Sequence, residues 1–84
     1  LMLGGHDLAV ALRARPGRAC FQYPRAQLAL IAAERELGFI DMPCADFRDQ
    51  AALAAETTEV IELGATAKAA IHPDQVPVIQ RAFL

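Results

Sequence analysis

The chain has 84 residues, a formal net charge of −2 and a hydrophobic fraction of 55%, which predicts one small domain at most. The near-neutral charge and the lack of a basic run argue against a nucleic-acid partner, and no apolar stretch is long enough to suggest a membrane partner. Cys20 and Cys44 show neither C-x-x-C spacing nor a dense disulfide pattern. Their spacing favours a reducing, cytoplasmic setting.

The apolar content is high for so short a chain, because a small domain has little interior in which to bury it. The first residue is Leu1, and residues 1–3 have the pattern of a strand already under way. We therefore expect residues 1–84 to be a single fragment of a larger fold, taken from inside a longer chain. The surplus apolar surface would face the missing part.

The first strand, residues 1–3, is followed by Gly4 and Gly5, which permit a tight backbone turn. Asp7 then stands where the N-cap of a short helical segment, residues 8–12, is expected. Residues 13–18 contain three arginines and a Pro-Gly turn. This basic stretch is either a solvated surface loop or a place that meets an anionic ligand such as a phosphate.

A long helix is predicted over residues 25–37, with Pro24 in its first turn and Gly38 as its stop. The second strand, residues 39–43, is interrupted by Asp41. A carboxylate inside such a strand must be paired, bound to a ligand or placed at the mouth of a site.

Asp49 is a plausible N-cap for the next helix, residues 50–63, which Gly64 ends. Its three glutamates at helical spacing are expected to form a solvated face; they are Glu56, Glu59 and Glu62.

A third strand, residues 65–71, leads to His72 and Pro73, and Asp74 can cap a last helix over residues 76–83 with Pro77 in its first turn. The order is therefore βαβαβα, which predicts parallel strands with right-handed crossovers. The order alone does not distinguish part of a (β/α)₈ barrel from part of an open doubly wound sheet. No glycine-rich phosphate fingerprint is present.

The carboxyl ends of parallel strands share one edge, where ligands bind in such folds, so four polar side chains should converge there: Asp7, Asp41, Asp46 and His72. Asp7 is either a ligand of a divalent cation or a helix cap. Free N–H groups at the start of its helix could receive a substrate carboxylate. His72 could donate to a ligand or fasten the strand end.

Three segments together resemble the HpcH/HpaI aldolase and citrate lyase β-subunit family. Residues 5–8 (GHDL) resemble its G-x-D-L segment, and residues 38–53 resemble its G…D…D-x-x-D…L strand and loop. Residues 63–76 (LGATAKAAIHPDQV) are similar to its L-G-f-x-G-K-x-x-I-H-P-x-Q-V signature, and residues 23–25 (YPR) to its Y-x-R. Ala67 departs from the family pattern, since glycine is usual there.

The resemblance implies a TIM-barrel enzyme of which this chain supplies about three βα units near the C-terminal end. It implies a Mg²⁺-dependent carbon–carbon lyase acting on a 3-hydroxy-acyl-CoA of the citryl-, malyl- or citramalyl-CoA type, through a metal-stabilised enolate. Asp7 matches the family's Mg²⁺ ligand, and the backbone of Gly5, His6 and Asp7 matches the part that holds the oxo-acid carboxylate. Asp41 and His72 would shape the mouth of the site.

The other metal carboxylate and the catalytic aspartate of the family lie in segments absent here, so no catalytic residue is assigned. The resemblance also implies a homo-oligomer, a trimer or hexamer. Two alternatives stay open: a class II aldolase acting on pyruvate and a free aldehyde, and a non-catalytic fragment or paralogue used for subunit interaction. We expect the isolated chain to be inactive.

Overall fold

The computed structural model describes residues 1–15 and 17–84, and the side chain of His6 lies outside this description. Two helices, α1 (Gly5–Leu12) and α2 (Arg18–Glu34), come first in the chain. Strands and helices then alternate in the order β1 (Ile40–Asp41), α3 (Gln50–Glu62), β2 (Ala67–Lys68) and α4 (Val76–Phe83), with a 3₁₀ turn at Pro73–Gln75 before α4.

The strands run parallel, as predicted, but they are shorter than predicted. Ile40 pairs with Ala67, and Asp41 pairs with Lys68. The predicted first strand is reduced to an isolated parallel bridge between Met2 and Ile40. β1 therefore lies between two parallel neighbours. These residues form part of an α/β layer, and they do not by themselves close into a barrel.

Helix α2 begins at Arg18, so the prediction that Pro24 occupies its first turn is wrong. The reason is tertiary: Phe21 is buried against Ala9 and Met42, which extends the helix toward its N-terminus. Pro24 consequently lies in the helix interior. The predicted basic loop is also shorter, because Arg18 belongs to α2; Pro16, in the middle of that stretch, lies outside the described residues.

The helix stops follow the prediction at one glycine and not at the other. Gly64 has φ +104° after α3, the left-handed conformation expected of a glycine stop. Gly38 does not stop α2, because the helix ends at Glu34 and Glu36 takes the left-handed conformation with φ 55°.

The predicted cap of α3 is confirmed, since Asp49 Oδ1 accepts a hydrogen bond from the backbone N–H of Ala52 at 2.9 Å. Pro77 lies in the first turn of α4, also as predicted. The prediction that Asp74 caps the last helix is wrong. Instead, His72 Nδ1 accepts from the backbone N–H of Asp74 at 3.1 Å and so caps the 3₁₀ turn.

The core lies between the strands and the helices, in two clusters of buried side chains. One contains Ala32, Phe39, Val60 and Ala65; the other contains Ala9, Phe21 and Met42. Adjacent side chains of a strand point to opposite faces. Asp41 is completely buried, whereas its neighbour Ile40 is 41% exposed. The described residues therefore cover only one face of β1.

In residues 1–15 and 17–84, no helix has both the length and the apolar composition that crossing a bilayer requires.

Candidate active-site cleft

A cleft of about 640 Å³ lies at the carboxyl ends of the strands. Its walls are mainly apolar and carry a few polar groups, which is the usual composition of a small-molecule site. The lining residues come from the first connection, from α2 and α3, and from the segments that follow β1 and β2: Met2, Leu3, Gly4, Gly5, Asp7, Gly17, Phe21, Arg25, Met42, Pro43, Cys44, Ala45, Asp46, Glu56 and Ile71.

Asp7 is exposed at this cleft, in the first turn of α1. The interpretation of Asp7 as the helix cap is wrong, because α1 begins at Gly5 and Gly4 takes the N-cap position. Among the side chains that the structure describes, Asp7 forms no ion pair. A carboxylate in the first turn is stabilised by the positive end of the helix, and Asp7 is one of the residues that line the cleft.

The first turn of α1 has no side-chain cap. The first backbone hydrogen bond of the helix joins Leu8 N–H to the Gly4 carbonyl at 3.0 Å. The N–H groups of residues 5–7 therefore precede the hydrogen-bonded part of the helix and are the donors that a helix N-terminus offers to an anion. The backbone of His6 belongs to this turn.

The two glycines before Asp7 differ in their surroundings. A Cβ at Gly5 would overlap Met42 Sδ and would lie 3.3 Å from Phe21 Cε1, whereas a Cβ at Gly4 would meet nothing within 4 Å. Close approach of a ligand to the backbone is therefore possible at Gly4. At Gly5 the free space is already filled by Met42.

Asp41 lies behind the cleft rather than in its lining. Its carboxylate is completely buried and forms two hydrogen bonds with Arg25, from Nε to Oδ1 at 2.8 Å and from Nη2 to Oδ2 at 3.2 Å. Lys68 Nζ donates to Oδ2 at 2.5 Å. The requirement that this carboxylate be paired is thus met by two cations.

Glu56, whose side chain is 25% exposed, completes this group of charges. Its Oε1 lies 3.2 Å from Arg25 Nη2, and its Oε2 accepts from Lys68 Nζ at 2.7 Å. We call Arg25, Asp41, Glu56 and Lys68 the charge quartet; it contains two cations and two carboxylates. The prediction that Glu56 belongs to a solvated face is therefore wrong. Glu59 does lie toward solvent, where its Oε2 is 3.1 Å from Nε of the exposed Arg18.

The quartet favours the charged form of Arg25. Burial alone would lower the pKa of its guanidinium, but the hydrogen bond to Asp41 and the charges of Asp41 and Glu56 outweigh burial, so the pKa of Arg25 is raised. Arg25 and Glu56 also line the cleft. Sequence reasoning assigned neither residue to the site; the available signal for Arg25 was its match to the Y-x-R of the family, and Glu56 had none.

His72 is not among the residues that line the cleft. Its ring stacks on Phe47 with 4.4 Å between centroids and an interplanar angle of 5°, and its Nδ1 caps the 3₁₀ turn. The structure therefore brings Gly5 and Asp7 to the cleft, with Asp46 on another wall, and places Asp41 and His72 elsewhere.

The described residues contain no group of three or more His, Cys, Asp or Glu side chains that could hold a metal ion. This chain offers the cleft two separate carboxylates, Asp7 and Asp46. Mg²⁺ takes one or two carboxylates together with waters and substrate oxygens. A Mg²⁺ ion at Asp7 is therefore compatible with these residues, provided that most of its ligands come from elsewhere.

Cys44 also lines the cleft. Burial raises the pKa of its thiol, and the nearby Glu56 carboxylate raises it further. A raised pKa keeps the thiol protonated and unreactive, which argues against nucleophilic catalysis by this residue.

No protein-family model matches the chain. It is 33% identical over 85 residues to the mitochondrial citramalyl-CoA lyase of Homo sapiens, and 31% identical over 85 residues to that of Mus musculus. Each alignment covers 99% of this chain and 25% of the relative, so the chain spans about a quarter of the length of the curated relatives it matches.

The crystal structure of RipC from Yersinia pestis has the same backbone arrangement, with a TM-score of 0.95 at 33% sequence identity. The match covers 100% of this chain and 39% of RipC. The arrangement of helices and strands described above is therefore a part of that larger fold.

Proposed function

Since the chain belongs to the HpcH/HpaI aldolase and citrate lyase β-subunit family, together with the citramalyl-CoA lyases that it matches over its whole length, we propose that it is part of a carbon–carbon lyase acting on a 3-hydroxy-acyl-CoA thioester. The observation that carries this proposal is the uncapped first turn of α1, which meets the cleft beside the Asp7 carboxylate. The parallel alternation and the uncovered face of β1 support a (β/α)₈ barrel for the whole domain.

The substrate that we propose is of the citramalyl-CoA type. In its cleavage the bond between C2 and C3 breaks, the C3 hydroxyl loses its proton, and C3 becomes the carbonyl carbon of pyruvate. The electron pair passes to C2, and protonation of the resulting thioester enolate gives acetyl-CoA. The N–H groups of residues 5–7 would hold the carboxylate that ends in pyruvate, because helix N-termini bind such anions.

We also propose Mg²⁺ as the cofactor, with Asp7 as the ligand from this chain. When bound, it would polarise the carbonyl oxygen of the oxo acid. The charges of the cleft support a cation there, since the lining carboxylates Asp7 and Asp46 lie outside the quartet, whereas Glu56 is paired with Lys68 and with the Arg25 guanidinium. That guanidinium is already paired with Asp41 and Glu56.

The proposal is tested by titrating Mg²⁺ into the protein at its full natural length, with and without pyruvate. We expect pyruvate to strengthen Mg²⁺ binding, and Asp7→Asn to weaken binding by more than about tenfold, because a charged carboxylate ligand is replaced by a neutral amide. Asp74→Asn is the matched control, since Asp74 is exposed and lies outside the cleft lining. Unchanged Mg²⁺ affinity in Asp7→Asn would rule out the metal role.

A further inference from the structure

Lys68 donates three hydrogen bonds, two to carboxylates and one to a neutral backbone carbonyl. Its ammonium is completely buried and has three donors, which go to Asp41 Oδ2, Glu56 Oε2 and the backbone carbonyl of Met42 at 2.5, 2.7 and 2.8 Å. The first two partners are carboxylates that Arg25 also contacts. The third is a neutral carbonyl immediately after β1, so Lys68 also fixes the position of the backbone there.

Met42 connects this carbonyl to helix α1. Its side chain is buried with Ala9 and Phe21. It also fills the space over Gly5, where a Cβ would overlap Met42 Sδ. Gly5 is the first residue of α1, and Asp7 lies in the same turn.

We propose that Lys68 is a positioning residue for the cleft. It holds the Met42 carbonyl, the Met42 side chain holds Gly5, and the first turn of α1 is thereby fixed with Asp7 and its uncapped N–H groups facing the cleft. The value of this support for catalysis rests on the proposed function, whereas the physical connection from Lys68 to α1 does not.

The test is amide hydrogen exchange in the protein at its full natural length. In Lys68→Met we expect the amides of residues 8–10 to exchange roughly tenfold faster, because their carbonyl acceptors lie in the first turn of α1. The amides of α4 should not change. The matched control is Arg18→Met, which removes the exposed ion pair to Glu59 between α2 and α3 and should leave residues 8–10 unchanged.

A second variant separates positioning from general loss of stability. Met42→Ala leaves all four charges of the quartet and the Met42 carbonyl in place, but it removes the contacts of the Met42 side chain with Gly5, Ala9 and Phe21. We expect the same faster exchange at residues 8–10. The double variant should show no more than the larger single effect, because both changes break one connection.

Two results would overturn the proposal: uniformly faster exchange in all helices of Lys68→Met, or no change at residues 8–10 in Met42→Ala. If Lys68→Met does not fold, the same exchange measurement on Lys68→Arg decides. Arginine keeps the charge between the two carboxylates, and its larger head group should displace the Met42 carbonyl and still speed exchange at residues 8–10, whereas unchanged exchange there would overturn the proposal. The measurement needs no substrate or metal. The exchange measurement and the Mg²⁺ titration of Asp7→Asn are therefore independent. A negative exchange result overturns the role of Lys68 and not the metal role of Asp7, and a negative titration does the reverse.

Discussion

The buried carboxylate of Asp41 lies in a group of charged side chains that come from three other elements. It lies in β1, and the quartet adds Arg25 from α2, Glu56 from α3 and Lys68 from β2. Taking a charge out of water is costly unless it is paired and hydrogen-bonded. The quartet meets this condition, and no buried side-chain nitrogen or oxygen among the described residues lacks a hydrogen-bond partner.

Asp41→Asn should therefore be strongly destabilising. It leaves Arg25 and Lys68 buried with Glu56 as their one remaining carboxylate, and breaking a buried pair typically costs about 3–5 kcal/mol. The free energy of unfolding, measured by urea denaturation at full natural length, gives this cost. Glu59→Gln removes only the exposed pair with Arg18 and should cost less than about 1 kcal/mol. Equal costs for the two variants would contradict the account.

At the residue scale, the sequence indicated that Asp41 needs a partner but not which partner. Arg25 and Lys68 are 16 and 27 positions away, and only the register of β1 against β2 places Asp41 beside Lys68. Glu56 was misassigned for a geometric reason. Residues spaced by three drift around a helix, so Glu56 and Glu62 are separated by about 120°. One end of such a row can reach the buried side.

Among the elements, α2 shows the limit of local signals. A proline favours the first turn of a helix, and this preference placed the predicted start at Pro24. The six residues before Pro24 contain no helix breaker, and burial of Phe21 extends the helix to Arg18. Tertiary packing therefore overrides the proline signal, which the sequence alone could not reveal.

Pro24→Ala should stabilise the protein, because it restores the N–H that Pro24 lacks in the interior of α2. We expect a gain of about 1 kcal/mol, below the roughly 3 kcal/mol intrinsic difference between alanine and proline in a helix. Pro77→Ala is the control and should give no gain, since the first turn of α4 needs no N–H there. The stability of both variants is measured by thermal denaturation. A gain for Pro24→Ala no larger than that for Pro77→Ala would be inconsistent with this account of α2.

The strands were predictable in order and direction but not in length. Alternation of apolar segments with helices gave the parallel pairing of β1 with β2, which the structure confirms. The length of a paired segment depends on what lies beside it. Pro43 has no N–H to extend β1. Residues 1–3 meet β1 through the Met2 bridge to Ile40 and through the Leu1 carbonyl, which accepts from the Ile40 N–H.

At the scale of the whole molecule, the cleft is assembled from three successive βα connections. The position of Asp7 followed from the alternation, because carboxyl ends of parallel strands share an edge. The contributions of Arg25, Met42 and Glu56 did not follow, since they depend on packing between helices and strands. The family was recognisable from residues 63–76 and is supported by 31–33% identity to citramalyl-CoA lyases.

The most direct test of the central claim is the cleavage of citramalyl-CoA by the protein at its full natural length, with pyruvate and acetyl-CoA quantified together. The account predicts both products in equal amounts, a loss of kcat/KM of at least about 100-fold in Asp7→Asn, and unchanged activity in Asp74→Asn. Full activity in Asp7→Asn, or no cleavage by the unaltered protein in the presence of Mg²⁺, would contradict it.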